Sequence, residues 1–258
     1  MNFKREDLMD HLKRISCKGR IKQVIFSGAF KAAALTPDQL LLVVAPPLEC
    51  DEELAEPIGV ADLGLLMKGL GMMPGSADDV GVDISVIDHR LVINEPGRGS
   101  VKLLTAQPRT IETRVDDSIV DSLMNQVGAT TVPLTDALIE SVQNAFSGLG
   151  ATSAEIVAGP MTGYIRIGDE SSHMAEFPVP DLRSPEEWRL NFGEHLLSVL
   201  ATVDSDAVMY FGGPGKPVVV QDGEYNYLLS PRVYGAGDQK KSGGKKKSGG
   251  KKPDVSIS

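Results

Sequence analysis

Seven basic residues, Lys4, Arg5, Lys13, Arg14, Lys18, Arg20 and Lys22, fall within the first 22 positions of the chain. Long cationic side chains at that density suit contacts to phosphate, which fix no base sequence. On a helical wheel Lys13 and Arg14 lie away from Leu8, Leu12 and Ile15, so both are expected to face solvent. A solvated charged face with no nucleic acid is the plain alternative. No other group of residues assembles a reaction centre. The segment GGPGKP superficially follows a phosphate loop, but GxxxxGK followed by Ser or Thr needs glycine where Tyr210 stands and a hydroxyl where Pro217 stands. It reads as a hairpin turn. His11, His89, His173 and His195 lack metal-ligand spacing, and Asp78–Asp79 and Asp116–Asp117 read as solvated turn residues. The chain also lacks GxGxxG after a strand, HExxH, GxSxG and an EF-hand loop. No catalytic residue, metal or cofactor is expected.

Charge elsewhere runs the other way. The 258 residues carry 26 Lys and Arg against 35 Asp and Glu, and residues 238–258 alone hold 7 Lys and 2 Asp. The remaining body has 19 basic and 33 acidic residues, a net charge of −14. An acidic body ordinarily argues against wrapping around phosphates. It leaves the cluster near the N-terminus, 7 of those 19 basic residues, as a local positive surface. Cys17 and Cys50 are too few for a disulfide framework and have no CxxC spacing, so reduced thiols are expected. No apolar run approaches the ~20 residues of a membrane span, and Lys4 and Arg5 precede an amphipathic helix and not a signal-peptide core. A soluble, cytoplasmic protein without membrane contact is the expectation.

The elements that must position these residues recur. Between Val60 and Ala106 the chain reads VADLGLLMKGLGMM, a turn at PGSADD, then VGVDISVID, LVINEPGRG and SVKLLTA. Between Asn191 and Val233 it reads NFGEHLLSVLATV, DSD, AVMYF, GGPGK and PVVVQDGEYNYLLSPRV. In both, helical period gives way to strand alternation. EDLMDHLKRIS before IKQVIFSG, FKAAALT and QLLLVVA has the same plan, as has VPLTDALIESVQNAFSGLG before SAEIVAG, TGYIRIGD and HMAEFPV. Leu8, Leu12 and Ile15, and likewise Leu134, Leu138, Val142 and Ala145, form apolar stripes. Four helices, each followed by about three strands, give an α+β chain; a single α+β domain with coincidental alternation is the competing reading.

The segment 109–131 lacks strong strand alternation and reads as a connector. A short helical turn around SIVDSLMNQV would dock Ile119, Val120 and Leu123 on the body; a surface-packed linker fits equally. The loops PPLECDEELAEP (46–57) and PDLRSPEEW (180–188) read as solvated. After Tyr234 the chain becomes GAGDQKKSGGKKKSGGKKPDVSIS, whose composition cannot offset the entropy of ordering. Such a tail either adds nonspecific attraction to DNA or an acidic partner, or serves only to solubilise.

In this order the segments resemble those of the sliding clamps that hold replicative DNA polymerases on their template, most closely the two-domain T4-type phage clamp. MNFKREDLMDHLKRISCKGRIK is similar to that clamp's first strand and helix, and IGVADLGLLMKGL with its strands to the second repeat. GGPGKPVVV and EYNYLLSPR are similar to the closing hairpin of phage, archaeal and eukaryotic clamps. The resemblance implies an α+β fold of two clamp-type domains, each with two helices packed on antiparallel sheets, assembling into a ring. Residues 1–108 would form the first domain, 109–131 the connector, 132–235 the second domain and 236–258 the tail.

The resemblance further implies that the helices line a hole around double-stranded DNA. Lys4, Arg5, Lys13, Arg14, Lys18, Arg20 and Lys68 would face the duplex, with Ser141, Gln143, Asn144, His195, Ser198 and Thr202 as weaker polar contributions. A DNA polymerase and an ATP-dependent clamp loader would insert a short apolar peptide beneath the connector and beside the closing hairpin. Residue correspondence points there to Pro217, Leu228, Ser230 and Pro231, although closing the second domain's sheet is the bland role for Leu228. A homotrimer supplies six domains, and SVKLLTA (100–106) and SHMAEFPV (172–179) are the edges expected to pair between copies. A phage-encoded clamp would act in the cytoplasm of a bacterial host. Two other readings are a monomeric clamp-fold DNA-binding accessory factor and a viral structural or assembly protein.

Overall fold

The structure, a computed structural model, describes residues 1–73, 81–97, 99–128, 130–168 and 173–232. The expected turn PGSADD and the tail 236–258 lie outside the described residues. The chain is built from one unit written four times, a strand, a helix and three strands. The first is β1 (Asn2–Lys4), α1 (Arg5–Ser16), β2 (Val24–Gly28), β3 (Lys31–Leu35) and β4 (Leu41–Ala45). The second is β5 (Leu54–Val60), α2 (Leu63–Gly71), β6 (Gly81–Ile87), β7 (Arg90–Glu95) and β8 (Gly99–Leu104). A 3₁₀ turn at Pro108–Thr110 and the helix α3 (Asp117–Met124) follow. The third unit is β9 (Thr130–Pro133), α4 (Asp136–Leu149), β10 (Ala154–Ala158), β11 (Gly163–Gly168) and β12 (Met174–Val179). The fourth is β13 (Trp188–Asn191), α5 (Glu194–Leu200), β14 (Val208–Phe211), β15 (Val218–Asp222) and β16 (Tyr225–Leu229).

Local chemistry sets the boundaries. Asp62 caps α2 by accepting from the Leu65 N–H at 2.9 Å, and Thr135 caps α4 by accepting from Leu138. Leu134 is therefore not part of the α4 stripe; it precedes the cap, buried with Ile139 in the positions of a hydrophobic staple. Helix α1 ends where Cys17, Lys18 and Gly19 turn left-handed, with φ of 43°, 56° and 81°. Leu8, Leu12 and Ile15 are buried along one face of α1, as their spacing requires. No described helix is long and apolar enough to cross a membrane.

The leading strand of each unit does not join its own triad. β1 pairs with β6, β5 with β2, β9 with β14 and β13 with β10, all antiparallel. Two units thereby exchange strands and become one interlocked half. Sheets β1-β6-β7-β8 and β12-β11-β10-β13 belong to one half each. The third sheet, β5-β2-β3-β4-β16-β15-β14-β9, crosses between halves where Leu41–Val44 pairs with Asn226–Leu229. The segment read as connector thus ends in a strand, since β9 begins at Thr130.

Candidate functional site

The eight-stranded sheet has two differently used faces. Leu41, Val43, Val218, Val220, Tyr227 and Leu229 alternate toward the main core, beneath the helices. Helices α1 and α2 touch, as do α4 and α5, and the end of α1 meets α5 through Arg20, Ser198 and the Cys17–Thr202 contact. The helices therefore form one row, α2-α1-α5-α4, across both halves. On the opposite face Leu42, Val219 and Leu228 form a separate apolar cluster, covered by Val120, Leu123 and Met124 of α3 with Val115 and Val127.

The cations expected at the helix row divide into two groups. Lys4, Lys13, Lys18 and Lys68 are solvent-exposed. Arg5 is not: it is buried, donates to the Met73 carbonyl at 3.0 Å and lies 3.7 Å from the buried Glu95 carboxylate. Its place at the start of α1 turns it into the protein, where a guanidinium needs partners more than it needs DNA. Arg14 is bound by Asp10 at 2.8 Å on its own helix and by Asp204 and Asp222 of the second half, and stands over the Tyr225 ring at 5.1 Å. Burial alone would lower the pKa of Arg14, but hydrogen bonds to Asp10 and Asp204 and the charge of Asp222 outweigh it and push it up. Asp222, only 4% exposed, moves up as well, because burial there exceeds the help from Arg14. Arg14 has three carboxylates, and Asp222 is the one that loses most solvent.

Arg20 donates to Ser198 Oγ at 2.9 Å and pairs with Glu194, half-exposed. Helix α5 contributes less than expected. His195 is buried, its Nε2 at 2.7 Å from Asp38 Oδ2 across the two halves, and Ser198 is buried too. Thr202 is half-buried and donates to the Ser198 carbonyl. On α4, Ser141 and Asn144 are exposed, whereas Gln143 donates to the Leu200 carbonyl at 3.0 Å. Sequence reasoning missed the resulting seam of Arg14–Asp204 and Asp222, Arg20–Glu194, Asp38–His195, and His11 Nδ1 to Tyr225 O–H at 2.7 Å. Nothing in local spacing signals it, since its partners lie far apart in sequence.

The four residues expected beneath the connector differ in burial. Leu228 is 3% exposed and packed under α3, so it is a core residue of the sheet as well as a wall of that region. Pro217 is buried, and Ser230 and Pro231 are half-buried. Val218 pairs with Leu229, so Pro217 and Ser230 flank the same end of the β15–β16 hairpin. Ile119 does not dock: it is 49% exposed, and Met124 takes the third place with Val120 and Leu123.

No protein-family model matches this sequence, and no curated protein sequence does. Solved structures do match. A chain assigned as a DNA polymerase III beta subunit of Eubacterium rectale superposes with a TM-score of 0.67 at 13% identity, over 91% of this chain and 65% of that one. PCNA of A. fulgidus, solved with the C-terminal region of FEN-1 bound, matches with a TM-score of 0.61 at 15% identity, over 91% of this chain and 98% of that one. The fold is that of the sliding clamps. PCNA of Thermococcus kodakaraensis agrees, with a TM-score of 0.61 at 14% identity and 99% of its chain covered. The chain spans about two thirds of the beta subunits and nearly the whole of each PCNA. In the clamp fold of this chain, the helix row and the connector helix occupy opposite faces of the shared sheet.

Proposed function

We propose that this chain is a sliding clamp, a non-catalytic ring that encloses duplex DNA and tethers a DNA polymerase for processive synthesis. The observation that carries the reading is the single row α2-α1-α5-α4, which continues unbroken across both halves. A row of that kind is what a closed ring needs on its inner side. Lys13, Lys18 and Lys68, with Arg20 beside them, are the DNA-facing cations; Lys4 lies at the start of α1. Few mobile lysines give loose phosphate contacts and allow sliding. Three copies joined head to tail supply six clamp domains, with β8 of one meeting β12 of the next. An apolar peptide from the polymerase, or from an ATP-dependent loader, docks near Pro217, Ser230 and Pro231 beside the connector.

The test is topological. Protein loaded on a closed circular duplex is expected to survive a salt rise that abolishes ordinary phosphate binding, and to slip off after linearisation. Equal salt sensitivity on circular and linear DNA refutes enclosure and favours a monomeric accessory factor.

A further inference from the structure

Strands β8 and β12 are each the last in their sheet, and each leaves its row of side chains unfinished. The other ends of these sheets are engaged: the Asn2 N–H at β1 donates to Asp51, and Asn191 of β13 bridges to Arg232. Across β10, β11 and β12 the register aligns Glu155, Arg166 and Glu176 in one cross-strand row. Arg166 lies 3.7 Å from Glu155 and 2.8 Å from Glu176. Among the described residues, that row holds two carboxylates and one guanidinium and ends on a carboxylate at the open edge. The row through β8 is Ser85, Val92 and Lys102, and it ends on an exposed ammonium.

Resting on the ring reading above, we infer that Lys102 of a second copy completes this row, in a flush antiparallel register that sets Gly99 against Val179 and Leu104 against Met174. Both strands are six residues long, so this register leaves no residue unpaired at either end. Lys102 then stands opposite Glu176, and charge alternates along Glu155, Arg166, Glu176 and Lys102. Leu104 and Met174, 77% and 46% exposed in the single chain, cover one another. On the other face the half-buried Val101 and Leu103 meet Phe177 and Ala175, which extends both cores across the junction. A slip of one residue would turn Lys102 toward that apolar face. Pro178 has no N–H to give to a ladder, and its place on β12, the last strand of its sheet, suits it. The seam is therefore directional, and charge specifies its register.

Sedimentation of the full chain across a concentration series tests this. Lys102→Glu and Glu176→Lys are each expected to raise the concentration for half-assembly about tenfold or more, since each places like charges in direct opposition. The double swap is expected to recover most of that loss, and circular dichroism should show all three variants folded. Because Glu176 also meets Arg166, Glu176→Gln serves as the milder partner and should weaken assembly by about twofold to fivefold. A parent chain that stays monomeric at every concentration, with and without DNA, overturns the ring reading itself. A parent that assembles indifferently to either reversal, or a double swap that recovers nothing, overturns the register alone.

Discussion

Replacing Arg14 by Ala separates a structural arginine from a DNA-facing one. The substitution removes the partner of Asp222, whose carboxylate is 4% exposed, and unties α1 from Asp204 and the Tyr225 ring. Breaking a fully buried pair costs about 3–5 kcal/mol, because one charge is left uncompensated. Two features reduce that figure here: Arg14 retains 17% exposure, and Asp204 is 63% exposed and contributes little as a surface pair. Asp222 also keeps a bond from the Asp204 N–H at 3.3 Å. The expected loss is therefore about 2–3 kcal/mol, or roughly 4–12 °C in thermal midpoint for a chain of this size. Urea unfolding of Arg14→Ala, Asp222→Asn and the double variant should give a coupling of about 1 kcal/mol or more between the two sites. A loss under ~0.5 kcal/mol with no coupling, accompanied by weaker retention of DNA, would refute the seam and return Arg14 to the duplex-facing set.

The exposed lysines should behave in the opposite way. Lys13→Ala, Lys18→Ala and Lys68→Ala together should leave urea stability within ~0.5 kcal/mol, yet shorten retention on circular DNA, as measured by gel filtration of loaded complexes. Leu228→Ala should cost about 2–4 kcal/mol in urea unfolding and free the connector, so limited proteolysis should cut within 109–131 sooner than in the parent. Burial lowers the pKa of His11 below its ordinary 6.5, more than the Phe30 carbonyl raises it. The unfolded chain then takes up that proton first, so stability should fall as pH drops from about 7 toward the folded value. His11→Gln should flatten that slope in urea titrations across pH; an unchanged slope would assign the acid sensitivity to other groups.

The periodicity of the four units was legible in the chain because each helix needs one apolar stripe for its sheet, as Leu8, Leu12 and Ile15 show, and each strand needs alternation. The docking of α3 was legible only in part: its pattern offered Ile119, Val120 and Leu123, and the fold packs Val120 and Leu123 with Met124 while Ile119 stays exposed. Local pattern says nothing of which strand pairs with which. The exchange of β1 and β5 between units, and the join of β4 to β16, depend on contacts between residues as distant as Leu41 and Leu229. The same limit governs the charges. Sequence places Arg5, Arg14, Lys13 and Lys18 in one basic cluster, but whether a cation meets solvent or a carboxylate depends on what the fold brings to it. Asp222 and Asp204 reach Arg14 only because the second half closes over the first helix, and Glu95 reaches Arg5 only because β7 lies beneath it. Composition determined that the chain is acidic with a cationic beginning; tertiary structure decided that Arg5, Arg14 and Arg20 of that beginning meet carboxylates while its lysines are exposed.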